Sequence, residues 1–290
     1  MTVGTFDGVH VGHSKIFQKM TRLAKECDGE TVVVTFHPHP RLVIHPDSKD
    51  LKFINTQERK YDLIEQNSID HLVIIPFTRE FAGTDAAGFV KDILVDKIGV
   101  CELVVGYDHH FGRNREGSFD ELSRLAEKFG FKVRQIPAQD IDNIAVSSTK
   151  IRNALKTGEI KTANLLLGYE YSITGPVVAG NKIGHKIGFP TANIELQDEY
   201  KLITAMGVYA CRILYNGKIY LGMGNIGYRP TINNSDLTIE VHIFEFDKDI
   251  YGETITIFFV DRIRDEVKFK DLDGLREQLI KDRETVKAIL

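Results

Sequence analysis

A change of hydrophobic rhythm near residue 168 restricts the possible folds of this chain more than any other feature. Up to about residue 156, short β-branched runs alternate with helical patterns. Strands are expected over 2–6, 31–36, 71–76, 102–106 and 131–136, and helices over 14–26, 56–66, 86–97 and 119–128. Strands separated by helices imply βαβ units and a parallel sheet covered on both faces. Beyond residue 168 the pattern becomes strand after strand, over 209–215, 218–224, 238–247 and 253–260. Asn216-Gly217, Asn233-Asn234 and Tyr251-Gly252 separate them. Such pairs join antiparallel strands, so a small barrel or sandwich is expected. A helix over 272–290 closes the chain, with Leu275, Leu279, Val286 and Ile289 on one side and Asp271 or Asp273 as its cap. The organisation is read as a first domain over 1–156, a helical connector over 157–167 and a second domain over 168–290.

Composition narrows the partners. The 290 residues carry 37 basic and 41 acidic side chains, a net charge of −4. Nothing in that balance calls for nucleic acid or an anionic membrane. No apolar run is long enough to span a bilayer. The three cysteines (Cys27, Cys101 and Cys211) are too scattered for a disulfide framework or a zinc ribbon and fit a reducing, cytoplasmic setting. The histidines at 37, 39, 109 and 110 show no recognised metal-ligand spacing. The sequence sets no oligomeric state.

Two stretches carry chemistry. In the first, Gly4-Thr5-Phe6-Asp7-Gly8-Val9-His10-Val11-Gly12-His13 runs from a strand into a helix. Val3 and Phe6 read as strand interior. A helix N-terminus presents unpaired N–H groups and partial positive charge, which favour an anion. Gly8 and Gly12 let a phosphate approach, and His10 and His13, three apart, point the same way. Ser147-Ser148-Thr149-Lys150-Ile151-Arg152 opens a later helix with hydroxyls and cations. The plainer alternative is a pair of solvated histidines and an ordinary N-cap.

The second stretch runs from Gly180 to Ile194. Its glycines, Gly180 and Gly188 among them, suggest a bent loop with N–H groups open to phosphate, flanked by Lys182 and Lys186. Pro190 favours extended chain before it, and in extended chain Thr191 and Asn193 project to one face. A hydroxyl and a carboxamide so placed can ligate magnesium, which also takes ATP oxygens. The plainer alternative is a surface turn. No P-loop lysine motif occurs.

These stretches carry a resemblance. His10-Val11-Gly12-His13 resembles the HxGH signature of nucleotidylyltransferases. Gly4–His13 as a whole resembles the opening of prokaryotic bifunctional riboflavin kinase/FAD synthetases, and Ser147–Arg152 that family's second nucleotide motif. Residues 35–40 and 105–112 fall where the family carries flavin and nucleotide loops. Pro190-Thr191-Ala192-Asn193 resembles the riboflavin kinase PTAN motif. Ile239–Phe244 with Asp249–Gly252 resembles the strand of the catalytic glutamate, here Glu240, and Gly224–Thr231 the loop before it. His109 and His185 depart from the family pattern, which usually has an aromatic residue at the first position and Arg or Lys at the second.

The resemblance implies an α/β fold: an N-terminal Rossmann-like nucleotidylyltransferase domain with a parallel sheet, and a C-terminal antiparallel β-barrel with a terminal helix. It implies phosphorylation of riboflavin by ATP to give FMN and ADP, then adenylylation of FMN to FAD with release of pyrophosphate. Glu240, His10 and His13 would be catalytic. Gly4, Phe6, Gly12, Asp108, Ser148, Thr149, Arg152, Gly180, Lys182, Lys186 and Gly188 would bind ATP or its phosphates. Thr191 and Asn193 would hold Mg2+. Two other readings compete on the residues alone: a nucleotidylyltransferase for another phosphorylated small molecule, and a flavin- or RNA-binding protein without catalysis.

Overall fold

The computed structural model describes residues 1–48, 50–106, 117–136, 146–180, 183–230 and 235–290. The expectations for Asp108, His109, Lys182 and Asn233-Asn234 lie outside them. The chain divides into two compact units, Met1–Ser148 and Thr149–Leu290.

In the first unit β1 (Thr2–Val3), β2 (Val32–His37) and β3 (His71–Pro76) pair in parallel, with Thr2 opposite Val33 and Val32 opposite His71. β4 (Glu102–Gly106) and β5 (Lys132–Ile136) form a second parallel pair. The Val104 amide donates to Met1 O at 2.9 Å and sets β4 beside β1, so the strands follow the order β3-β2-β1-β4-β5. The order reverses between β1 and β4, where open α/β sheets place their ligands. Val33, Val34, Val104 and Val105 are buried, as strands covered on both faces require. The covering helices are α1 (Val11–Glu26), α2 (Gln57–Glu65) and α3 (Phe119–Phe129). Thr56 caps α2 and Ser118 caps α3 through their side-chain oxygens, satisfying first-turn amides. The helix expected over 86–97 begins as one α-turn and continues as a π-helix over Phe89–Ile98. Its 3.6-residue pattern did not separate the two.

In the second unit α4 (Ser148–Thr157) and α5 (Ile160–Leu167) lead into the barrel. Its strands are β6 (Ser172–Val178), β7 (Ala192–Ile194), β8 (Gly207–Tyr215), β9 (Lys218–Pro230), β10 (Ser235–Ile243) and β11 (Thr254–Arg264), closed in the order β10-β7-β6-β11-β8-β9. The alternative of an open sandwich is thereby settled. Asn216 and Gly217, both at positive φ (47° and 73°), make the two-residue turn between β8 and β9, the geometry that matches strand twist.

Three expectations are corrected. Phe6 is not strand interior: β1 ends at Val3, and Phe6 has φ of 50°. Residues 224–230 are not a loop but the second half of β9, since Asn225 pairs with Glu240 and Gly227 with Thr238 across the ladder. The strand expected to reach 247 ends at Ile243, and Glu245 turns the chain at φ of 53°.

Terminal helix α6 (Leu272–Ile289) is capped by Asp271, which accepts from Gly274 N at 2.8 Å. Val286 is fully buried and packs with Phe189, Ala210, Met223 and Phe244. Asp282, 3% exposed, accepts from Arg264 Nε on both oxygens (2.9 and 3.0 Å) and from Gln278 Nε2 at 2.8 Å. Removing one partner of such a pair strands a desolvated charge. Asp282→Ala is therefore expected to lower unfolding free energy by about 3 kcal/mol, read from the urea transition. Asp282→Asn, which keeps an acceptor, should lose less.

Candidate active sites

The first site is built on a run of unusual backbone. Phe6, Gly8 and Val9 have φ of 50°, 88° and 35°. A β-branched residue at positive φ is strained and persists only where its surroundings hold it. The surroundings here are specific. Gly4 N donates to Val34 O at 3.0 Å, and Val9 N to Phe6 O at 3.2 Å. Asp7 Oδ1 accepts from Ile54 N at 2.9 Å, and Asp7 O accepts from Ser148 Oγ at 2.8 Å. The last bond ties Ser148, at the end of this unit, to the curl.

The curl delivers His10 to the N-cap position of α1 and His13 to its first turn. Their rings stack at 3.7 Å with planes 15° apart. Phe6 meets His13 edge-on at 5.1 Å and lies tilted against Phe17 at 5.3 Å. Gly4 is needed beneath that ring, since a Cβ there would come 3.0 Å from Phe6 Cζ. Gly12 is buried in the same helical turn. The aromatic wall and the neighbouring imidazole hold His13 well below the usual histidine range, burial being the larger cause, and its Nδ1 is sealed from solvent with no hydrogen-bond partner. A neutral imidazole keeps one N–H to donate. Thr149 and Arg152 follow Ser148 in the first turns of α4, Thr149 exposed and Arg152 half-buried.

Sequence reasoning missed Lys60. Only 5% exposed, it lies on the buried face of α2 with Leu63 and Ile64. Its Nζ donates to Thr35 Oγ1 at 3.3 Å and Thr5 O at 3.4 Å. Burial lowers its pKa to about 8, against the pull of the Asp7 carboxylate. A lysine in phase with an apolar stripe was the available signal.

The second site lies on the barrel. β10 pairs with β7 so that Glu240 stands opposite Asn193, and with β9 so that Glu240 stands opposite Asn225. Directly opposite residues share a sheet face, which makes a row of Asn193, Glu240 and Asn225. The asparagine at 225 was also missed, because the stretch around it reads as loop by its glycines. Thr191 Oγ1 donates to Glu240 Oε2 at 3.2 Å. A Cβ on Gly180 would overlap the Asn193 carboxamide, so that glycine makes room for the side chain. Gly188 has φ of 83°. It closes the turn after the short helix Ile183–Lys186, in which Lys186 is exposed. His242, two residues along β10, donates from Nδ1 to Pro190 O at 2.7 Å. A carbonyl can only accept, which makes Nδ1 the protonated nitrogen. Burial holds His242 below the usual histidine range, partly offset by that bond.

The hydroxyl, carboxamide and carboxylate are hard oxygen donors of the kind that magnesium takes together with phosphate oxygens. Thr191 and Asn193 thus fit that ion, with the Glu240 carboxylate beside them. Among the described residues, no three His, Cys, Asp or Glu side chains are grouped as a metal centre.

The architecture defines a class: a Rossmann-like α/β domain followed by a closed barrel, each with polar groups arranged for phosphate chemistry. The FAD synthetase family model matches residues 1–150, and the riboflavin kinase family model matches residues 167–290. The bifunctional riboflavin kinase/FMN adenylyltransferase of Haemophilus influenzae is 38% identical over 289 residues, covering 99% of this chain and 93% of its own. That of Listeria monocytogenes is 37% identical over 289 residues, covering 99% and 91%. A crystal structure described as a macrolide-efflux protein from Streptococcus pneumoniae matches with a TM-score of 0.90 at 32% identity, covering 99% of this chain and 93% of that one. Among the described residues, no helix here is long and apolar enough to cross a membrane. This chain belongs to the bifunctional riboflavin kinase/FMN adenylyltransferase family.

The depressed pKa of His13 has a consequence for stability. The unfolded chain takes up a proton near pH 6.5 that the folded histidine refuses, so stability falls as pH drops below 6.5. His13→Gln should reduce the fall in unfolding free energy between pH 7.5 and 5.5 by up to about 1.4 kcal/mol per pH unit, leaving the slope that His242 contributes, as read from urea transitions.

Proposed function

We propose that this chain carries out both group transfers of flavin cofactor synthesis, phosphorylation of riboflavin to FMN in the C-terminal domain and adenylylation of FMN to FAD in the N-terminal domain. The observation that carries this reading is the near-full-length family match, with each domain's motif residues gathered into a cluster. The proposed domain limits are 1–156 for the adenylyltransferase, 157–167 for the connector and 168–290 for the kinase. The free cysteines Cys27, Cys101 and Cys211 support a cytoplasmic location.

In the kinase step the ribityl 5′-hydroxyl oxygen bonds to the γ-phosphorus of ATP. The bond to the β–γ bridging oxygen breaks and ADP leaves. Glu240 takes the hydroxyl proton. Its Thr191 contact and its place opposite Asn193 hold the carboxylate at the barrel face where that hydroxyl would lie. Thr191 and Asn193 would hold Mg2+, which when bound neutralises phosphate charge. Gly180, Lys182, Lys186 and Gly188 would bind the ATP phosphates.

In the adenylyl step an FMN phosphate oxygen bonds to the α-phosphorus of ATP and pyrophosphate leaves. No covalent enzyme intermediate is needed, so positioning and charge stabilisation supply the catalysis. His10 and His13 donate to the oxygens on which charge develops. Gly4 and Phe6 back them, Gly12 opens the helix to the phosphate, and Asp108 contacts nucleotide or flavin. Ser148, Thr149 and Arg152 hold the β- and γ-phosphates.

Two substitutions separate the activities. Glu240→Gln is expected to slow FMN formation by about 10²–10⁴-fold and leave FMN-to-FAD conversion intact. His13→Ala should slow FAD formation by about 10²–10³-fold and spare the kinase. Chromatography of flavins after incubation with ATP, magnesium and riboflavin or FMN reads both. Loss of both activities from either change in a folded chain would refute the two-site assignment.

A further inference from the structure

Strand β7 begins at Ala192, one residue past Thr191. In the β10–β7 ladder Val241 stands opposite Ala192 and Glu240 opposite Asn193. One step further, His242 reaches the level of Thr191. There the backbone ladder cannot continue, because Pro190 has no N–H to donate. Its carbonyl still needs a donor, and His242 Nδ1 supplies one at 2.7 Å. The ring cannot swing freely. Phe189 meets it edge-on at 5.2 Å and Phe244 at 5.6 Å. Phe189 is itself buried, with the Arg283 guanidinium over its ring, 5.6 Å from the centroid.

Glu240 and His242 thus grip two consecutive residues from alternate positions of one strand. Glu240 takes the Thr191 hydroxyl, and His242 takes the carbonyl just before it. A Thr191 whose preceding peptide were free to rotate would not keep its hydroxyl in place for an ion. We propose that His242 is a positioning residue of the kinase site, fixing the Pro190–Thr191 peptide so that the Thr191 hydroxyl is held ready for magnesium. This inference rests on the assignment of Thr191 to the metal. His242 itself takes no part in the proton transfer given to Glu240.

The full-length protein tests it with His242→Asn and His242→Leu. Asparagine places its amide N–H near the position of Nδ1–H, whereas leucine keeps bulk and donates nothing. His242→Leu is expected to raise the magnesium concentration for half-maximal riboflavin phosphorylation by about tenfold, as loss of an outer partner of a metal ligand does. His242→Asn should return it to within about twofold, since it restores the donor. FMN adenylylation and the thermal midpoint report on folding. A second readout does not depend on activity. Long-range 1H–15N spectra of the magnesium-free protein, with the His242 signal identified by its loss in the asparagine variant, should show a proton on Nδ1. A proton on Nε2 alone would overturn the proposal, as would wild-type magnesium dependence in the leucine variant. A loss in the leucine variant that asparagine does not rescue would overturn it too. Thr191→Val separates the two levels of argument. If it shifts the magnesium dependence and His242→Leu does not, only the positioning role falls. If Thr191→Val shifts nothing, the metal assignment falls, and this inference with it.

Discussion

One hydrogen bond ties the first site together: the Ser148 hydroxyl on the carbonyl of Asp7, at 2.8 Å. It fastens the end of the first unit to the curl that follows β1. That curl is costly, with Phe6 and Val9 both in the left-handed region. The Asp7 carboxylate secures it from another side through Ile54 N. What the strain secures is the direction of α1, whose first turn bears the stacked histidines. Stacking at 3.7 Å disfavours two positive charges on the pair at once.

The barrel solves a different problem. Its site needs short polar side chains from separate strands to meet on one face, and strand pairing alone aligns Asn193, Glu240 and Asn225. The core beneath them is shared with the terminal helix. Phe189, one residue before Pro190, packs in the same cluster as Val286 of α6. The Arg264–Asp282 pair anchors that helix on β11. Rigid support for a site of this kind comes from packing and from outer hydrogen bonds together.

The βαβ rhythm, the shift to antiparallel strands and the Asn216-Gly217 turn were all legible, because each depends on local periodicity or on residues that tolerate positive φ. The placement of Thr191 and Asn193 on one face followed from extended geometry. The curl at Phe6 was not legible, since Val-Gly-Thr-Phe alternates like a strand and only the distant partners Ile54 and Ser148 bend it. The stretch from Gly224 to Pro230 was misread for the opposite reason. Its glycines and proline suggest a loop, yet its amides are claimed by β10. Lys60 left only a faint mark, its phase with Leu63 and Ile64, because a buried cation is defined chiefly by distant partners, here Thr5 O and Thr35.

The two sheets also differ in how they end. The barrel closes on itself and offers no unpaired strand to a second molecule. Among the described residues the parallel sheet ends at β3 on one side and β5 on the other, and exposed positions of β5 carry Lys132 and Arg134. Cations on an outermost strand discourage edge-to-edge association between copies. The residues that complete this side of the sheet therefore also help to keep two copies from pairing along it.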